Sequence, residues 1–258
     1  MNPISDRIEH PQEALGHTAG MLNGVAALRT MPEQIAERIY SAIVAGQYQP
    51  GERIREDAVA EAFGISRGPV REALRILERD SVVRVLANKG AHVTKLTAKE
   101  VNDIFEVRKV LGGTMARRLA AMPRAALVPF VAGVEHLEQL AATQDDASAY
   151  LAASVELTLA MASASGNARL AEIMNSLARQ SWRYTKLGLS SSLRRQESVR
   201  TWRVLVEALL IGDGQSAGDA MEKLVDDSRR EATRLLQGDA AHDASNASSV
   251  IAQPCAPH

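Results

Sequence analysis

The chain has 258 residues and a formal net charge of −1, from 30 Lys and Arg against 31 Asp and Glu. That length suits one large domain or two ordinary ones, and so even a charge does not advertise nucleic acid, so any basic surface must be local. The single cysteine, Cys255, excludes an internal disulfide and a Cys-based zinc site, and 3 % aromatics against 46 % hydrophobics points to close-packed helices.

Residues 1–30 are polar, without a clear period, and read as a flexible N-terminal arm. They lack a basic start followed by an apolar run, so they do not read as a signal peptide. No 18-residue apolar stretch stands out, and a cytoplasmic protein without a membrane span is expected. In "TMPEQIAERIYSAIVAGQYQPGERI", Ile35, Ala36, Ile39, Ala42 and Ile43 form a helical stripe, with Pro32 at its start and Gly46 and "QPGE" at its end. "REDAVAEAFGIS" predicts a short second helix with Ala58, Val59, Ala62 and Phe63 inward. Gly64 then stands where a helix end favours a left-handed residue.

Ser66 is the expected N-cap of a third helix, with Pro69 in its first turn and Val70, Ala73, Leu74 and Leu77 as its buried face. The Val-rich "SVVRVLANKGAHVTKL" predicts two short strands around the turn "NKG". Three helices and a hairpin make residues 31–96 a winged helix-turn-helix. Beyond Thr97 no strand is expected. "TAKE" is a capping box. Breaks at "MPR", "TQDD", "SGN", "LGLSSS" and "GDGQ" divide residues 97–237 into about six helices, and 238–258 read as a disordered tail. The fold class is therefore mostly α: an N-terminal winged helix-turn-helix plus a C-terminal all-α helical bundle.

Arg67, Arg71, Arg75 and Arg79 recur at every fourth position of "SRGPVREALRILER". With Val70, Ala73, Leu74 and Leu77 inward, Arg67 and Arg71 lie on the outer side of the first two turns. That part of the helix enters the major groove in a helix-turn-helix. A guanidinium there binds phosphate or forks onto a guanine edge. Ser66 can donate to a phosphate, and Gly68 lets the backbone approach DNA closely. Arg75 and Arg79, beside Glu72 and Glu78, read as a solvated, ion-paired face.

"SRGPVREALRILERDSVV" and the preceding "IVAGQYQPGERIREDAVAEAFGIS" resemble the GntR superfamily of bacterial transcription regulators over roughly 31–96. Ser81 stands where that family usually has Gly. The resemblance implies DNA contacts from Arg55, Ser66, Arg67, Arg71 and the wing residues Lys89 and Gly90. "DIFEVRKVLGGTMARRLA", "ASASGNARLAEIMNSLARQ" and "LVEALLIGDGQSAGDAME" resemble the FCD ligand-sensing domain of the FadR-type branch. Many such domains hold a divalent metal with one Asp and three His. Here those positions align with Ser154, Thr158, Trp202 and Leu224, and no histidine lies between 137 and 241. No metal and no cofactor are therefore expected. A carboxylate-only site from Glu156 and Glu207 is the weaker alternative.

Arg108, in "EVRKVLGG", is where the family resemblance places an anion-facing arginine. It faces either an effector or a structural acid such as Glu106 or Asp103. Arg108, Ser154, Thr158 and Trp202 form the expected effector site, with Trp182, Arg183 and Tyr184 as further possibilities. Gly112 and Gly113 mark close helix packing or a kink. No catalytic residues are expected, since the bundle offers no His or Cys as base or nucleophile beside Glu156. The leading reading is a homodimeric repressor on operator double-stranded DNA, released by a small organic acid. The alternative is a DNA-binding regulator whose bundle only dimerises.

Overall fold

The computed structural model describes residues 29–143 and 147–251, with side chains up to 238. The arm expected over 1–28 and the last residues, 252–258, lie outside the described residues. The chain divides into two compact units, with the boundary between Lys95 and Leu96.

In the first unit, α1 (Met31–Val44) opens on a capping box in which Thr30 and Glu33 satisfy each other's backbone N–H. Strand β1 (Arg53–Ile54) follows, then α2 (Glu56–Phe63) and α3 (Arg67–Arg79). Gly64 ends α2 with φ 64°, the left-handed cap that lets the chain turn into α3. Val70, Ala73, Leu74 and Leu77 of α3 pack against Ile35, Ile39 and Val59 in a closed core. Burying one such Leu contributes roughly 1.5–3 kcal/mol. Ala60, rather than the expected Ala62, is the fully buried residue beside Val59, and Ala62 and Phe63 are only partly covered.

The expected two-stranded wing has a third strand. β2 (Val83–Leu86) and β3 (Gly90–Val93) form the hairpin, and β1 pairs with the other edge of β3, in the order β1-β3-β2. Arg53 and Arg84 both stand opposite His92, so the three occupy one row of the sheet. Ser81, ahead of β2, adopts φ 55°. The turn thus keeps its left-handed residue although serine is strained there.

The second unit is a helical bundle. It comprises α4 (Ala98–Leu119), α5 (Arg124–Ala142), α6 (Ala147–Ala164), α7 (Ala168–Gly188), α8 (Ser192–Ile211) and α9 (Gly214–Ile251). The helix breaks fall where Pro, Gly, Ser and Asn interrupt the apolar period. The end expected near 237 does not appear. α9 continues to Ile251. Gly112 and Gly113 serve close packing: a side chain at either would collide with Met221 or Glu222 of α9. Gly188 plays the same part about two turns further along α9, where a Cβ would lie 2.5 Å from the Ser228 carbonyl oxygen.

One helix is more apolar than expected from the sequence. The eighteen residues of α6 reach a mean hydropathy of 1.2, enough by length and composition to cross a membrane. Tyr150, Leu151, Leu157 and Met161 of α6 are instead buried in the bundle core, which accounts for that hydropathy.

Candidate functional site

The first candidate surface is built by α3 and the wing. Ser66, Arg67, Gly68 and Arg71 are all exposed, along the first two turns of α3. Ser66 is the N-cap by backbone geometry, yet its hydroxyl makes no cap hydrogen bond. That hydroxyl and the first N–H groups of α3 are thereby left available to an anion. A Cβ on Gly68 would have only Ser66 Oγ near it, at 4.0 Å, so nothing inside the protein requires glycine there.

Two of the arginines are held by acids at the start of α2. Arg55 pairs with Asp57 at 3.1 Å, and Arg71 donates to Glu56 at 2.7 Å. The hydrogen bond to Arg55 lowers the Asp57 pKa. Arg75 pairs with Glu72 at 2.7 Å, the solvated face the sequence suggests. In the wing, Lys89 is exposed and Gly90 has φ 81°, with the Arg53 guanidinium over the space a Cβ would take, 3.3 Å away. The His92 ring nitrogens face the carbonyls of Gly51 and Lys89 at 3.1 and 3.3 Å. Exposed Arg53 and Arg84 flank His92 on that row. Neither arginine is marked out by the sequence pattern, because a two-residue strand leaves no period to reveal the shared row.

The second site is a cavity inside the bundle, of about 40 Å³. Arg108, Ser154, Thr158 and Trp202 all line it, together with Leu224. The five positions come from α4, α6, α8 and α9 and are distant in sequence. Arg108 is 6 % exposed. Its Nη1 donates to Ser181 Oγ at 2.9 Å and Thr185 Oγ1 at 3.0 Å, both on α7. The guanidinium also stacks on Phe105, 4.8 Å from the ring centre.

Neither acid considered for Arg108 is its partner. Asp103 is exposed and pairs with Lys99 at 2.6 Å, and Glu106 is exposed. Burial alone pushes the Arg108 pKa down, to about 10. That value leaves the group cationic at neutral pH. A buried cation held only by hydroxyls and a ring lacks an anion.

The hydrogen-bond inventory points the same way. Arg108 Nε and Trp202 Nε1 are buried N–H donors without partners. The Thr158, Ser181 and Thr185 hydroxyls already donate to backbone carbonyls one turn back. Their protons are spent, whereas those of Arg108 Nε and Trp202 Nε1 are not. Of the further possibilities, Arg183 is exposed, and none of Trp182, Arg183 and Tyr184 lines the cavity. Glu156 and Glu207 are exposed and line no part of it, so they do not form the carboxylate site weighed above. Among the described residues, no three His, Cys, Asp or Glu stand close enough to hold a metal ion.

The family model for the FCD domain matches residues 103–227, and that for the bacterial regulatory proteins of the gntR family matches residues 32–93. The chain belongs to the GntR family. This GntR-family chain is 41 % identical over 75 residues to the HTH-type transcriptional regulator YdhC of Bacillus subtilis (strain 168), covering 29 % of this chain and 34 % of the relative. It is 31 % identical over 117 residues to the gluconate operon transcriptional repressor of the same organism, covering 45 % of this chain and 48 % of the relative. The chain thus matches less than half the length of these two relatives. The solved structure of E. coli McbR/YncC superposes with a TM-score of 0.69 at 18 % identity, covering 81 % of this GntR-family chain and 99 % of that one. That likeness is one of fold.

Proposed function

We propose that this GntR-family chain is a sequence-specific DNA-binding transcriptional regulator. It works as a homodimer on a pseudo-palindromic operator and is released from it by a small organic acid. α3 enters the major groove with Arg67 and Arg71, and Arg55, Ser66, Lys89 and Gly90 meet the DNA around it. The resemblance to relatives such as the gluconate operon transcriptional repressor supports the regulatory role.

The effector half rests on one observation: Arg108 is buried, cationic and without an acid, in a cavity it shares with Trp202, whose Nε1–H is also without a partner. A carboxylate there removes an uncompensated charge and satisfies both donors at once. The cavity volume favours an acid of few heavy atoms, since one water needs roughly 10–15 Å³.

Thermal-shift titrations with acetate, lactate and pyruvate test this. At least one should raise the melting temperature of the wild type and leave that of Arg108→Ala unmoved. No response from the wild type to any of them would favour the second reading, a bundle that only dimerises. That reading draws on the small volume of the cavity.

A further inference from the structure

Arg108 is tied to α7 by Ser181 and Thr185, four residues apart on that helix. Between them sits Tyr184, 4 % exposed. Its hydroxyl accepts from the Leu96 amide at 2.8 Å and donates to the Leu96 carbonyl at 3.4 Å. Leu96 is the first residue of the bundle unit, and Lys95 before it is the last of the DNA-binding unit. One turn of α7 therefore carries two sets of bonds. One set runs to the guanidinium of the cavity, and the other to the residue through which the bundle is joined to the DNA-binding unit.

We infer that Tyr184 is the coupling residue of this regulator. The 181–185 turn of α7 transmits the state of Arg108 to Leu96 and so to the DNA-binding unit. The inference rests on the anion-site reading above and adds its route. An anion on the unused Nε–H edge draws the guanidinium toward the cavity. The hydroxyls bonded to Nη1 follow it or lose it. The turn is stiffly placed, because α7 ends on Gly188, where the α9 backbone leaves no room for a side chain. Arg195 further holds the end of α7, donating to the carbonyls of Leu189 and Ser190. A displacement of the turn is therefore delivered to the Tyr184 hydroxyl rather than absorbed at the helix end. The Thr97–Glu100 capping box fixes the start of α4 directly after Leu96. The Tyr184 clamp then sets how the chain enters that helix.

Two measurements on the full chain decide the matter. The first is hydrogen exchange at the Leu96 amide, without added ligand. Tyr184→Phe should speed it about tenfold, as expected for one lost buried hydrogen bond. The double variant Ser181→Ala/Thr185→Val keeps Tyr184 and should still speed it, by about threefold or more. A wild-type exchange rate in the double variant overturns the inference. It does so even if Tyr184→Phe fails to fold.

The second is fluorescence anisotropy on a duplex selected from random sequence by the wild type, with and without pyruvate. Pyruvate should weaken DNA binding by the wild type. In Tyr184→Phe it should still bind, within about twofold by calorimetry, yet leave DNA affinity unchanged. A purely structural Tyr184 would lower stability and keep the response. A Tyr184→Phe protein that responds as the wild type does would sink the coupling and leave the anion site standing. If acetate, lactate and pyruvate all fail to bind the wild type, the anion reading falls, and the exchange arm still decides the route.

Discussion

Arg67 and Arg71 differ in what each gives up on meeting DNA. Arg71 must exchange Glu56, at 2.7 Å, for a phosphate or base edge. The exposed pair is worth at most about 1 kcal/mol. Arg67→Ala should therefore weaken binding to the selected duplex by about 1–3 kcal/mol and leave the fold intact. Glu56→Gln should tighten binding to unrelated duplex and steepen its salt dependence, because Arg71 no longer has a carboxylate to leave. Anisotropy across a salt series reads both effects. Gly68→Ala separates fold from function at the same surface. Its Cβ meets open space inside the protein, so the melting temperature should hold or rise slightly. Operator affinity should fall, since the methyl stands where α3 meets DNA. Unchanged affinity in Gly68→Ala would place α3 farther from the duplex.

At the scale of elements, the legible parts of the fold were those written locally. The α3 face repeats with the helical period, Gly64 punctuates the helix-turn-helix, and Pro, Gly, Ser and Asn interrupt the bundle helices. β1 was not legible, because two residues carry no alternation and its pairing to β3 spans the whole helix-turn-helix. The cavity was legible only through the family resemblance, which aligned Ser154, Thr158, Trp202 and Leu224. Nothing local announces that Arg108 meets Ser181 and Thr185, more than seventy positions away, or that Tyr184 clamps Leu96. Ser81 shows how a local departure is absorbed. A left-handed serine costs about 1 kcal/mol, part of which glycine would return as unfolded-state entropy. Ser81→Gly should stabilise the winged unit by about 0.5–1 kcal/mol in urea unfolding. A packed glycine answers in the opposite direction. Gly188→Ala drives a methyl onto the Ser228 backbone, which cannot swing aside as a side chain can. It should cost about 1–3 kcal/mol of bundle stability.

For the whole molecule, the deciding quantity is the charge that has no partner. The surface is nearly neutral in sum, and its exposed arginines are largely shared with nearby acids, as Arg55, Arg71, Arg75 and Arg117 are. Arg108 alone among the arginines lining the cavity carries its charge into the bundle, where desolvation opposes it. Ser154, Thr158, Trp202 and Leu224 offer a divalent cation no imidazole and no carboxylate, and a cation would be repelled by the guanidinium. Removing metal should therefore leave stability unchanged, and adding an anion should raise it. Elemental analysis of the purified protein should find no stoichiometric zinc, nickel or manganese, and EDTA should leave the melting temperature unchanged. A bound small carboxylate should raise that temperature by an amount that grows with its concentration, as linkage requires. Trp202→His should not create a metal site, because it supplies one imidazole against Arg108 and three other positions without ligands. It should weaken the carboxylate, since the indole N–H and part of the cavity wall are lost. Calorimetry with zinc and with pyruvate on the wild type and Trp202→His would read both. One zinc bound per chain inside the bundle of the wild type would overturn the electrostatic reading of the cavity.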